Sequence, residues 1–192
     1  MNFKEGVIIP IDKPYGITSF KALAHVRYLC SKMQGGRVKI GHAGTLDPLA
    51  TGVLILATGK MTKQIEKLQT HTKEYVATIQ LGATTPSYDM EHEENETFPT
   101  EHIEQVPPTY SAVKVNGQRA FDYRRNGEDI VLKPKNIRID EIEITHFDAD
   151  RMQLTLRVVC GKGTYIRALA RDLGRAINSG AYLVALRRTR IG

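Results

Sequence analysis

The stretch Gly41-His42-Ala43-Gly44-Thr45-Leu46-Asp47-Pro48-Leu49-Ala50-Thr51-Gly52 constrains this chain more than any other. Three glycines open backbone conformations closed to other residues and let a ligand approach the main chain. Pro48 biases Asp47 towards extended geometry, so the single carboxylate of the stretch is presented from a stiff turn and not from a helix. The apolar run Val53-Leu54-Ile55-Leu56-Ala57 follows at once and ends near Gly59, which predicts a short buried strand anchoring that turn. Two readings fit. Asp-Pro among glycines is an ordinary turn composition, and a loop held by a rigid scaffold is also where chemistry is commonly placed.

The 192 residues suit a single domain spanning 1–192 with room for a substantial core. A net charge of +6 favours a polyanionic partner. Cys30 and Cys160 lie far apart and form no CxxC unit, which predicts buried reduced thiols. The N-terminus is polar and no apolar run approaches a membrane span, so a soluble cytoplasmic protein with no membrane association is expected.

In chain order, Gly6–Ile11 reads as a strand and Asp12-Lys13-Pro14-Tyr15-Gly16 as a turn in which Lys13, taken alone, would be solvated. Thr18 or Ser19 caps a helix to about Cys30 with Phe20, Leu23, Ala24 and Val26 towards the core. Ser31–Lys39 is expected as a flexible basic loop. Gly59-Lys60-Met61-Thr62 lacks the spacing of a phosphate loop, and Thr62–Leu68 suits a short helix. Tyr75, Ala77, Ile79 and Leu81 share one face of a strand at period two. Residues 84–105 are acidic and least structured; their His92, His102 and glutamates lack tight ligand spacing, so no metal site is expected.

Further on, Pro107–Gly117 reads as an extended segment closed by an Asn-Gly turn, followed by a short basic helix over Arg119–Arg125. Ile137, Ile139, Ile142 and Ile144 show a one-residue phase change, the mark of a bulge. Met152, Leu154, Leu156, Val158 and Cys160 form one face of a strand that pairs with it as a hairpin. A helix over about 164–178 carries Ile166, Leu169, Ala170, Leu173 and Ile177 in one stripe. Its start, beside Lys162, is suited to a phosphate, and an ordinary amphipathic helix explains it equally.

The twelve-residue stretch closely resembles the catalytic motif of TruB-type pseudouridine synthases, with Ala43 where that family usually has Thr. Four further strings resemble family motifs in the family order: Asp12-Lys13-Pro14-Tyr15-Gly16-Ile17-Thr18-Ser19, Lys73-Glu74-Tyr75, Pro107-Pro108-Thr109-Tyr110-Ser111-Ala112 with Lys114 and Gly117, and Lys162-Gly163-Thr164-Tyr165-Ile166-Arg167. The end, Leu186-Arg187-Arg188-Thr189-Arg190-Ile191-Gly192, is similar to the family's closing strand. Against the pattern, Pro86-Ser87 stand where the family has Asp-Thr. The resemblance further leads to the expectation of a catalytic domain with a shortened thumb-like insertion and without the C-terminal RNA-binding domain of bacterial relatives.

The resemblance implies an α+β fold, with a central mostly antiparallel sheet flanked by helices and an active site in a cleft across the sheet. It implies an isomerase that breaks the N1–C1′ bond of uridine in RNA, turns the base and rejoins it through C5. The target it suggests is the T-loop uridine at position 55 of tRNA, the partner the tRNA T arm, and the state a monomer. The reaction is redox-neutral and calls for no cofactor. By matching, Asp47 is the essential carboxylate, Arg167 its ionic partner, and Tyr75 the residue that stacks on the uracil. Tyr165 would pack on the flipped nucleotide and His42 would help replace the extruded base. Leu186 and Lys13 would shape the pocket, with Lys162 beside the RNA. Two other classes are a non-catalytic RNA-binding protein, against which intact Asp47, Tyr75 and Arg167 argue, and a nucleoside hydrolase, which normally needs two facing carboxylates.

Overall fold

A computed structural model describes residues 2–85, 87–89, 102–111, 113–115, 117–126 and 132–192. The chain forms two compact units, one of residues 1–75 and 186–192, the other of residues 76–185. It leaves the first unit within the strand Lys73–Leu81 and returns within the strand Ala181–Ile191.

The first unit is built on β3 (Thr51–Thr58), the strand predicted from its apolar run. One edge of β3 pairs antiparallel with β1 (Ile8–Lys13), from Ile8 opposite Ala57 to Lys13 opposite Gly52. The other edge is shared. The short β2 (Ile40–His42) pairs antiparallel with residues 56–58, and β10 (Ala181–Ile191) pairs parallel with residues 51–52. That parallel approach requires Gly52: at φ 104°, an added Cβ would lie 2.1 Å from the Arg188 carbonyl oxygen.

Helix α1 (Ser19–Gln34) packs Ala22 and Leu23 on Leu54 and Leu56. Thr18 caps it by accepting from the Lys21 amide. It runs past the expected end at Cys30, so Ser31–Gln34 is helical and not loop. Gly35, left-handed at φ 68°, stops it, with the Gly36 amide returning to the Ser31 carbonyl. Phe20, expected in the core, is instead 65% exposed, because Ala22 and Leu23 face the sheet and Phe20 lies outside their arc. A 3-10 turn (Gly59–Gln64) and α2 (Ile65–Thr70) follow β3. β4 (Lys73–Leu81) then begins with Lys73 and Tyr75 buried, at the predicted period of two.

In the second unit the strand order is β10, β4, β9 (Gln153–Cys160), β8 (Lys135–Asp148) and β5 (His102–Gln105). β8 and β9 form the predicted antiparallel hairpin, with register shifts after Ile139 and after Ile144 that account for the phase change in the isoleucines. Ile144 itself is exposed, and Met152 is not on the strand face. It occupies the connecting turn at φ 52°. β5 is a strand inside the segment read as unstructured; the acidic residues 91–101 fall outside the described residues. A two-strand ribbon, β6 (Lys114–Val115) and β7 (Gln118–Arg119), precedes α3 (Ala120–Arg125).

Helix α4 (Ile166–Ala176) is buried along its whole first half, Arg167 and Arg171 included, and Ile177 lies beyond its end, 49% exposed. This gives the mixed α+β architecture expected, with a central sheet and helices. Among the described residues no helix is long and apolar enough to cross a membrane. Cys30 and Cys160 are both buried and form no disulfide.

Candidate active site

The Asp47 loop joins β2 to β3, and its backbone is tied down on both sides of the carboxylate. Before it, the buried Ser19 hydroxyl both accepts from the Leu46 amide and donates to the Leu46 carbonyl, each at 2.8 Å. After it, the Pro48 carbonyl accepts from Lys13 Nζ at 3.2 Å and from the Gly16 amide at 2.9 Å. The Ala50 amide closes the turn on the Asp47 carbonyl at 3.1 Å. A carboxylate on such a loop has little backbone freedom, which is what a positioned reacting group needs.

Lys13 is not the solvated turn residue its local sequence suggests. It is fully buried and donates to Pro14, Ile17 and Pro48 carbonyls at 2.9, 2.7 and 3.2 Å. Burial pulls its pKa below the usual lysine range, and the nearby Asp47 carboxylate opposes that pull. The lysine thus both clamps the loop and places a cation within electrostatic reach of Asp47.

Arg188, which sequence reasoning gave no role, ties the loop to the sheet. Between β2 and β10 the edge of β3 has carbonyls that neither strand covers. The Ala43 amide meets Ile55 at 2.8 Å, and Arg188 Nε meets Val53 at 2.8 Å. The same guanidinium donates to Gly44 at 3.1 Å, contacts Thr45 O and Tyr75 Oη at 3.5 Å, and stands 6.0 Å from the Tyr75 ring centre. Arg188 is 1% exposed and Tyr75 9%. It therefore links both ends of the motif to the tyrosine expected to stack on the base.

His42 lies at the end of β2, half-buried. Burial, and secondly the charge of Arg188, lower its pKa, so the ring is neutral at pH 7. Its buried Nδ1 has no hydrogen-bond partner among the described residues. Leu186 opens the parallel pairing of β10, its carbonyl 3.5 Å from the Thr51 hydroxyl. Lys13, His42, Asp47, Tyr75 and Leu186 thus all belong to the first unit, tied together mainly by Lys13, Ser19 and Arg188.

Arg167, Tyr165 and Lys162 belong to the second. Tyr165 precedes α4 and is held at both backbone groups by Gln105, whose side chain accepts from its amide at 2.8 Å and donates to its carbonyl at 3.0 Å. Gln105 is 1% exposed; nothing in its sequence context marked it out. Arg167, 6% exposed in the first turn of α4, donates to the Tyr110 carbonyl at 2.9 Å and contacts Ser87 O at 3.4 Å. Lys162 is exposed on the turn before α4. One turn further, Arg171 donates to Asp172 at 2.6 Å and stacks 5.4 Å from the Tyr88 ring centre. Among the described residues no His, Cys, Asp and Glu cluster could hold a metal.

The chain is similar to known proteins over its whole length. The family model of the N-terminal domain of TruB family pseudouridylate synthases matches residues 31–166. The chain is 56% identical over 209 aligned residues to tRNA pseudouridine synthase B of Bacteroides fragilis, covering all of this chain and 89% of that protein. To the protein of the same description from Flavobacterium johnsoniae it is 47% identical, covering 99% of this chain and 90% of that one. Among solved structures, a chain of a Cbf5–Nop10–Gar1 complex superposes with a TM-score of 0.72 at 31% identity, over 100% of this chain and 50% of that one. A chain of an H/ACA RNP bound to a substrate RNA containing 2′-deoxyuridine gives 0.68 at 27% identity, over 99% of this chain. The chain spans about half the length of these solved chains.

Proposed function

The chain belongs to the TruB family of pseudouridylate synthases, isomerases of uridine in RNA, and from that premise we propose that it converts the T-loop uridine at position 55 of tRNA to pseudouridine. The residues 1–192 act in this reading as one catalytic domain, a soluble cytoplasmic monomer that takes the T arm of tRNA as partner.

The observation that carries the reading is the anchoring of Asp47, with Ser19 holding the residue before it and Lys13 and Gly16 the residue after it. The reaction breaks the N1–C1′ bond and forms a C5–C1′ bond, and the hydrogen on C5 leaves as a proton while N1 gains one. Asp47 is the carboxylate that acts at the sugar. The buried cation of Lys13 lies within electrostatic reach of it and favours its charged form. Tyr75, its ring fixed beside Arg188, offers a flat apolar face for the uracil. Extrusion of the uridine costs roughly a few kcal/mol of lost stacking, which such a contact offsets. A neutral His42 suits the space left by the extruded base, since it adds no charge among stacked bases. For Arg167, Tyr165, Lys162 and Leu186 the roles are proposed on the family motifs that contain them.

The test is tritium release from a tRNA transcript carrying 5-tritiated uridine, since rejoining through C5 expels that hydrogen. Release is expected from the unaltered chain. It should be abolished by Asp47→Asn, which keeps the shape and removes the charge, and by replacing the T-loop uridine in the transcript. Release that survives Asp47→Asn would sink the catalytic assignment; release that survives loss of that uridine would sink the choice of site.

A further inference from the structure

Between Asp12 and Asp47 the chain has no acidic residue but six basic ones, Lys13, Lys21, Arg27, Lys32, Arg37 and Lys39. With 27 basic and 21 acidic residues overall, this run alone carries a charge equal to the whole chain's excess of +6. Lys13 is spent on the Asp47 loop; the other five reach solvent.

The fold gathers part of this charge into a groove. Helix α1 turns Ala24, Arg27, Tyr28 and Ser31, one face at the spacing i, i+3, i+4, i+7, towards Gly36 and Arg37 across a depression of 610 Å³. A second depression of 380 Å³ shares Arg27 and Arg37 and continues along Val38, Lys39 and Ile40. Lys4 reaches the same place, its Nζ 3.7 Å from where a Cβ on Gly36 would stand. No acidic residue lines either depression. Among the described residues Lys4, Arg27, Arg37 and Lys39 make no ion pair. The outer face of α1 also carries Phe20 and Tyr28, 65% and 63% exposed, within this cationic surface.

Unneutralised cations interleaved with exposed aromatics fit a sugar–phosphate backbone, which supplies regularly spaced charge and planar groups together. The groove also leads to the site. Its floor at Lys39 and Ile40 runs straight into β2, so at ~3.3 Å per residue Lys39 lies about 10 Å along the chain from His42. We propose that the groove between α1 and Gly36–Ile40 holds the phosphate backbone of the RNA whose uridine reaches the Asp47 loop. The inference rests on the RNA-modifying reading above and adds to it a specific contact surface.

The test is filter binding of unmodified tRNA transcript to the full chain between 50 and 200 mM salt. Each cation that no longer neutralises a phosphate lowers the slope of log affinity against log salt by about 0.7 to 0.9. The double substitution Arg27→Gln with Arg37→Gln should therefore lower it by about 1.4 to 1.8. The fall in affinity over that fourfold salt range should become about 7- to 12-fold smaller. Arg37→Gln alone, beyond the end of α1 where it cannot disturb the helix, should give half the slope change. Arg151→Gln, on the β8–β9 turn, is the control and should give none. Slopes of both groove variants equal to that of the unaltered chain would overturn the proposal. Tritium release by the unaltered chain separates the two questions: release with unchanged slopes removes the groove and keeps the reaction, whereas no release removes the premise itself.

Discussion

Arg188→Met is the most searching perturbation of the site. The substitution keeps an unbranched side chain and removes the guanidinium. Two of its hydrogen bonds are of ordinary length, to Val53 at 2.8 Å and Gly44 at 3.1 Å, while the two at 3.5 Å add little. Bonds from a charged donor contribute about 1.5–3 kcal/mol each, so the gross loss is about 3–6 kcal/mol. Removing a cation that is 1% exposed returns part of its burial cost. A net loss of about 2–4 kcal/mol remains, because the half-buried carbonyls of Gly44 and Val53 are left without these donors. For a chain of this size that lowers Tm by roughly 4–16 °C. Arg188→Lys should recover part of the stability, but one ammonium cannot hold Gly44, Val53 and Tyr75 as the planar fork does. Turnover measured well below both melting points should therefore stay depressed in Arg188→Lys. Calorimetry and tritium release on the same preparations give both quantities. A Met variant that melts within about a degree of the parent, with unaltered turnover, would refute the idea that this arginine holds the loop.

Two further outcomes follow from the same geometry. Ser19→Ala leaves the Leu46 amide and carbonyl without their shared partner, which should cost about 1–3 kcal/mol in urea titration, and should lower kcat more than it raises KM, since it loosens the residue next to Asp47. His42 is depressed below its usual pKa by burial first and Arg188 second, so its unfolded form takes up a proton before its folded form does. Its stability contribution is complete above about pH 6.5 and is lost as pH falls from there through the lowered folded value. Unfolding free energies from pH 7.5 down to pH 5 should fall less steeply in His42→Gln than in the parent; parallel slopes would contradict the assignment.

The local chemistry of several elements was legible in the residues alone. Asp47-Pro48 between glycines read as a turn, the run after Gly52 as a strand, and Thr18 or Ser19 as a helix start, because each is set within a few residues by backbone freedom, apolar content or a side-chain cap; the structure chose Thr18. The alternation of Tyr75, Ala77 and Ile79 on β4 and the bulged isoleucines of β8 are equally local. The twelve-residue string around Asp47 was legible because it resembles a family's motif almost intact.

What the tertiary structure decided was which polar side chains are buried. Arg187 and Arg188 are neighbours in one strand, and continuing the inward parity of Ala181 and Leu183 would turn Arg187 inside. Instead the burial pattern changes phase after Leu183, where the strand passes from one unit to the other. Arg187 pairs with Asp12 at the surface, and Arg188 is buried. Lys13 is buried although its turn looks solvated, and Phe20 is exposed although its helix face looks apolar. The reason is common to all three. A residue's burial here is set by what stands opposite it: uncovered carbonyls of β3 and of the Pro48 loop for the two cations, and solvent beyond the sheet's reach for Phe20. Those neighbours are up to 144 positions away in the chain, and only the fold brings an unmet carbonyl and a long cationic side chain to the same place.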